Sequence, residues 1–251
     1  MMLFDRAGRA LAGFLTRPRQ RPLNLTTNHP DLLAATLRPG DVLLVEGDAR
    51  VSVAIKYLTQ SSWSHAALFI GDALGPAPPG EEPKVLIDAD VREGVRAIPL
   101  STYAELHTRI CRPVGLSKDE IDRVIAYAKS RLGHQYDVKH IWDLARYLFP
   151  TPPVPVRWRR RLLALGSADP TRAICSTLIA EAFQAVNYPI LPRTILERRR
   201  DPEFAHNIME LQHIHQRGLF MPRDFDVSPY FEIVKPTLVQ GFDPHARRRT
   251  A

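Results

Sequence analysis

Cys175, His65 and Asp88 are the side-chain types that, brought together, make a nucleophile with its base. Cys175 stands near the start of an apolar helical run, RAICSTLIAEAFQAVN. The partial positive charge of a helix N-terminus favours thiolate over thiol. His65 opens another apolar run, HAALFI, directly behind Ser61-Ser-Trp-Ser64. An imidazole beside a thiol lowers its pKa further and can later hand the proton to a leaving group. A histidine used in this way needs a third group to fix its tautomer, and Asp88 in VLIDADV is of the right type. Asp90 lies on the same strand face two positions on and is a rival for that part. Each residue also has a plainer reading. A lone cysteine in an apolar helix is usually a small buried hydrophobe. A histidine beside small residues can bond a backbone carbonyl, and a strand aspartate can face solvent.

The elements that must position these groups are legible in outline. LRPGDVLLVEG predicts a Pro-Gly turn and a first strand at Val42–Val45. Residues 51–60 suit a short helix, and His65–Ile70 a second strand ended by Gly71-Asp72. ALGPAPPGEEP is Pro/Gly-rich and reads as a surface loop. KVLIDADV and GVRAIPL predict a hairpin turning near Arg92-Glu93-Gly94, and RICRPVG a further strand. Ser117-Lys-Asp-Glu120 is a capping box. The helix it opens places Ile121, Val124, Ile125, Ala128 and Leu132 on one face and stops at Gly133. A second helix is expected over Val138–Phe149, then a Pro- and Arg-rich insert over 150–167. The Cys175 helix follows, with Pro170 in a favoured first-turn position. Residues 190–218 are polar and carry little signal; a last strand is expected at Tyr230–Val234. This tally predicts an α+β fold, a small antiparallel sheet packed with helices.

Composition narrows the classes. The 251 residues suffice for one large domain, with 45% hydrophobic and 24% charged residues, an ordinary globular balance. The net charge is +7, gathered near the N-terminus, in WRRR, in ERRR and in the tail ARRRT. Such clusters suit anionic lipid, nucleic acid or an acidic small molecule, or serve solubility. Cys111 and Cys175 belong to no CxxC, so zinc-ribbon and thioredoxin readings lack support. No signal peptide and no apolar run of transmembrane length is expected, which favours a cytoplasmic location. Residues 3–15 form a short amphipathic pattern, with Leu3, Phe4, Ala7, Leu11, Phe14 and Leu15 opposite arginines. Such a segment suits the interface of an anionic membrane, making the protein peripheral there, or packing on its own domain.

Six short motifs follow one another in order: PGDVLLVEG, an Ile-Lys and Thr-Gln-Ser-Ser helix end, WSHAALFIG, VLIDA, GHQYD and CSTLI. This order resembles the permuted papain-like amidases of the YaeF/YiiX type. They are a branch of the NlpC-like cysteine peptidase superfamily, related to the lecithin retinol acyltransferase-like enzymes. In that branch the histidine strand precedes the cysteine helix, as His65 precedes Cys175. The resemblance covers residues 37–235 and implies a circularly permuted papain-like fold for that span. Residues 1–36 are then an amphipathic basic segment and linker, and 236–251 a basic tail.

The resemblance implies Cys175 as nucleophile, His65 as general base and Asp88 as the group orienting His65. The family often has Glu at that last position, and Asp reaches one methylene less. Tyr136 matches a tyrosine near the nucleophile; its hydroxyl would assist the Cys175 amide in holding an oxyanion, or it is a buried aromatic. Ser64 and Trp63, beside His65, are candidates for the substrate side. No metal and no organic cofactor is implied. The expected activity is a cysteine hydrolase or amidase on a peptide-like or lipid-like small substrate. A lipid-directed thiol acyltransferase and a non-catalytic binding module on the same fold are the alternatives. No specific nucleic-acid binding is expected, since the basic runs lack interleaved aromatics. His206, His213 and His215 are better read as polar loop residues than as a metal site.

Overall fold

The computed structural model describes residues 29–48, 52, 56, 61–90, 93–135, 174–192 and 220–239. Within them six strands form one antiparallel sheet: β1 (Val42–Glu46), β2 (His65–Phe69), β3 (Lys84–Asp90), β4 (Gly94–Pro99), β5 (His107–Pro113) and β6 (Phe231–Val234). Their order across the sheet is β4-β3-β2-β1-β5-β6. The described helices are α1 (Pro30–Thr36), α2 (Ser101–Ala104), α3 (Lys118–Ser130), α4 (Ile174–Gln184), α5 (Pro222–Val227) and α6 (Pro236–Val239). The α+β class is as the sequence predicts.

β1 shows why the sheet needs cover on both faces. Val42, Leu43, Leu44 and Val45 are all fully buried. Val42 and Leu44 join Val124, Ile125 and Ala128 of α3 and Leu178, Ile179 and Phe183 of α4 in one core. Leu43 and Val45 point the other way, into a second core with Leu33 of α1 and Tyr103 of α2. Alternation along a strand delivers both sets from one continuous apolar run.

The capping box of α3 is present as read: the Glu120 amide donates to Ser117 Oγ at 3.3 Å, and the Ser117 amide to Glu120 Oε2 at 2.8 Å. After α3 the chain turns at Gly133, and its loop is stitched to β4. Gly133 N–H donates to Val95 O at 2.8 Å, and Val95 N–H to His134 O at 3.0 Å. Gly94, at φ +75°, permits this approach, because a Cβ there would lie 2.3 Å from His134 O.

Several details depart from the sequence reading. The span read as linker ends in α1, whose Pro30 opens the helix and whose Leu33 is buried; seven residues give too little periodicity to signal a helix. α2 and α5 are likewise short helices where the sequence suggested none. Of the helix expected over 51–60, the described residues 52 and 56 are helical. The expected helix over 138–149, the insert 150–167 and Pro170 lie outside the described residues. No described helix is long and apolar enough to cross a membrane.

Candidate active site

β2 and β3 pair antiparallel, with Leu68 opposite Ile87 and Phe69 opposite Leu86. The first residue of β2 and the later part of β3 therefore share one end of the sheet, which brings His65 to Asp88. His65 Nε2 lies 2.9 Å from Asp88 Oδ2. An ionised carboxylate only accepts, so Nε2 carries the hydrogen and donates it. Nδ1 is left for the third partner. α4 packs on β2 and β3 and carries Cys175 as its second residue. The thiol shares a hydrogen bond with the His65 side chain, and the Ala66 backbone amide bonds the sulfur as well.

The electrostatics of the pair run against burial. Cys175 is 4% exposed, and burial alone would push its thiol up. The His65 charge and hydrogen bond, with the Ala66 amide, outweigh that and hold the thiol below its ordinary range. Burial also disfavours charge on His65. The charge of Cys175, the hydrogen bonds to Asp88 and Cys175, and the Asp88 charge carry the imidazole well above an ordinary histidine. Both shifts act in the same sense, each favouring the charged form beside the other. The His65 side chain keeps 21% of its surface exposed, so the pair is reachable from solvent.

Asp88 is fully buried, and a buried carboxylate must be partnered. Arg96 donates from Nε to Oδ1 at 2.9 Å and from Nη2 to Oδ2 at 3.3 Å. The Tyr103 hydroxyl donates to Oδ2. Burial pushes the Asp88 carboxyl up, but the hydrogen bond and charge of His65, then those of Arg96, hold it well below the usual carboxylate range. Tyr103 is itself pushed up by burial and by the Asp88 charge, so it remains a neutral donor. Its ring centre is 5.5 Å from that of His65. Asp90 is engaged elsewhere: Oδ1 accepts from the Glu93 amide at 3.0 Å, and Oδ2 is 3.8 Å from Arg96 Nη2. Between the two aspartates, the one bonded to the histidine is Asp88.

Arg96 and Tyr103 were not among the residues singled out from the sequence. Arg96 had only a partial signal: a turn over residues 92–94 would set position 98 opposite 88, and the observed register is two residues tighter, with Asp88 opposite Arg96. Tyr103 had none, because it comes from a one-turn helix.

The other expected site residues are placed differently. Ser64 is 2% exposed, and its Oγ accepts the Gly47 amide at 2.9 Å. A Cβ at Gly47 would stand 3.0 Å from that oxygen and 2.5 Å from Ser52 Oγ, so the serine holds the end of β1 in close packing. Trp63 is buried, donates from Nε1 to Asp226 Oδ2 at 3.0 Å, and stacks on His107 with centroids 5.3 Å apart. Arg109 covers its ring at 4.9 Å and pairs with Asp226 at 2.6 Å. Tyr136, His206, His213 and His215 lie outside the described residues. Among the described residues no cluster of His, Cys, Asp or Glu could hold a metal ion. Cys111 is buried in β5, where burial and then the Asp226 charge push its thiol far up. Its thiol is the opposite of Cys175 in character.

A thiol, an imidazole and a carboxylate are thus joined in that order, with the thiol on a helix and the other two on adjacent antiparallel strands. Residues 36–148 match the model of the permuted papain-like amidase enzymes, YaeF/YiiX, C92 family, a match over rather less than half of the chain. The match supports a cysteine-type hydrolase; it includes His65 and Asp88 and ends before Cys175. A solved structure described as the metalloprotein yiiX from Escherichia coli O157:H7 is similar at 16% identity and a TM-score of 0.46, over 79% of this chain and 96% of that one. No curated protein matches the chain.

Proposed function

We propose that this protein is a cysteine-dependent hydrolase that cleaves an amide or ester bond through a thioester. The single observation that carries the reading is His65 joined on one side to Asp88, at 2.9 Å, and on the other to Cys175. The Cys175 thiolate attacks the carbonyl carbon, forming the C–S bond and moving the carbonyl π pair onto oxygen. When the carbonyl re-forms, the C–N or C–O bond breaks, and His65 gives its Nδ1 proton to the departing amine or alcohol. Neutral His65 then takes a proton from water as the water attacks the thioester. The C–S bond breaks, the acid leaves, and the returned proton restores the imidazolium. Asp88 keeps Nε2–H bonded throughout, so Nδ1 faces the sulfur at each proton transfer. The substrate class that fits is a small peptide-like or lipid-like carbonyl compound.

The test is the pH dependence of alkylation at each cysteine, read by peptide mass spectrometry, in the native protein and in His65→Ala. Cys175 is expected to react fast well below the ordinary thiol pKa, with Cys111 silent and the difference lost in His65→Ala. If Cys175 is as inert as Cys111 in both proteins, the hydrolase reading is wrong and a binding role on the same fold takes its place.

A further inference from the structure

We propose that Arg96 is a positioning residue of this site: forked onto both carboxylate oxygens of Asp88, it keeps that carboxylate aimed at His65 and offsets part of its charge, and so sets the pH window in which Cys175 and His65 are paired ions. The inference rests on the thiolate–imidazolium reading and adds a determinant to it.

The geometry comes first. Asp88 and Arg96 are paired directly across the β3–β4 hairpin, on the face where side chains opposite one another meet. Oδ2 takes His65, Tyr103 and the longer Arg96 bond, whereas Oδ1 takes Arg96 Nε at 2.9 Å. A grip on both oxygens fixes rotation of the carboxylate, which contacts to one oxygen do not. Arg96 is in turn anchored. Its Nη1 lies 3.2 Å from Glu93, at the turn of the same hairpin, and its Nη2 3.8 Å from Asp90, the last residue of β3. Its side chain is 25% exposed, so the guanidinium reaches Asp88 from the rim and not from the core.

Charge supplies the second part. The groups facing His65 are Cys175 from α4, Asp88 from β3 and Tyr103 from α2, with Arg96 of β4 behind Asp88. On β1 its partner is Val45, and the adjacent Glu46 is bonded to Lys56 at 3.1 Å. A bare carboxylate at Asp88 would hold the imidazolium proton too tightly for release to a leaving group. It would also oppose thiolate formation at Cys175. The Arg96 charge moderates both effects. Removing it therefore moves two transitions the same way: the thiol ionises later, and the imidazolium loses its proton later.

The experiment titrates the thiolate by its ultraviolet absorbance and the His65 ring by its proton shifts, in wild type, Arg96→Met and Arg96→Lys. Melting curves define the folded fraction. In Arg96→Met both transitions are expected to move to higher pH by about half a unit or more, the direction a lost cation dictates. Arg96→Lys, which keeps a charge but not the fork, is expected to move them less. If Arg96→Met does not fold, Arg96→Lys decides by the same measurement. Lower melting temperatures with both transitions unmoved overturn the inference alone, since a purely structural Arg96 acts only on stability. A wild-type protein without a thiolate step at low pH overturns the reading of the site and the inference with it.

Discussion

Asp88 and Arg96 face one another across the β3–β4 hairpin, so the carboxylate that steers His65 is itself steered by its cross-strand neighbour. Charged pairs across exposed strands are worth roughly 0.2–1 kcal/mol. This one involves a carboxylate with no solvent contact, where losing a partner leaves a buried group unmatched.

Asp88→Asn turns an acceptor of several hydrogen bonds into a side chain that also donates. One of His65, Tyr103 and Arg96 then faces an N–H group. Unfolding free energy by urea titration is expected to fall by roughly 3 kcal/mol. Alkylation of Cys175 at neutral pH should slow by a factor on the order of 100 or more, because the imidazole loses its orienting charge. Unchanged reactivity would remove Asp88 from the site.

The stability of the fold should carry the signature of the ion pair. His65 is raised in the folded state, so its contribution is full below its unfolded value of about 6.5 and is lost as pH rises through the folded value. Cys175 is lowered, so its contribution is full above about 8.5 and is lost as pH falls through the folded value. Between those two pH values the changes cancel. The difference in unfolding free energy between wild type and a double variant lacking both groups, His65→Ala with Cys175→Ser, is expected to be flat from about pH 6.5 to 8.5 and to shrink on both sides. Asp88, lowered as well, adds a further loss of wild-type stability as pH falls below about 4. A difference that slopes steadily across neutrality would rule out the pair.

Cys111 serves as an internal control. Buried in β5 opposite Val42 and pushed far up, it should resist alkylation in the folded protein at every pH below 9 or so. Its labelling rate is expected to follow global unfolding in denaturant, whereas that of Cys175 does not. Rapid native labelling of Cys111 would contradict its place in the core.

Gly94→Ala tests the seam between β4 and the loop after α3. The new methyl would meet a backbone oxygen at 2.3 Å, and the position sits at positive φ. A loss of about 2 kcal/mol or more is expected in thermal or urea unfolding. An equally stable variant would show that the seam yields without penalty.

What the sequence made legible follows physical range. Strands β1 to β5 and the α3 capping box were readable because alternation and capping are local patterns. His65, Cys175 and Asp88 were singled out through short motifs in a fixed order, and the structure brings the three side chains together. The reach of Asp88, one methylene shorter than Glu, is sufficient, as its 2.9 Å bond to His65 shows. Arg96 was missed by two residues, because the hairpin turns more tightly than the expected turn over residues 92–94. Tyr103 was not, since a four-residue helix has no period. Trp63 and Ser64 sit next to His65 in sequence, but their side chains are held in packing by Asp226 and Gly47. Both lie before the first residue of β2, so adjacency in the chain says little about sharing a site.

The division of the site between sheet and helix has a consequence for the newly made chain. The imidazole and its carboxylate come from neighbouring strands, whereas the thiol rides on α4, far along the sequence. Until α4 docks, Cys175 has neither the His65 charge nor the Ala66 amide, and is an ordinary thiol of pKa about 8.5. Docking the helix is thus also the arming step. A ribosome-bound or partly unfolded chain carries a nearly harmless cysteine, slow to capture stray electrophiles or oxidants, and chemical aggressiveness arrives only with completed architecture.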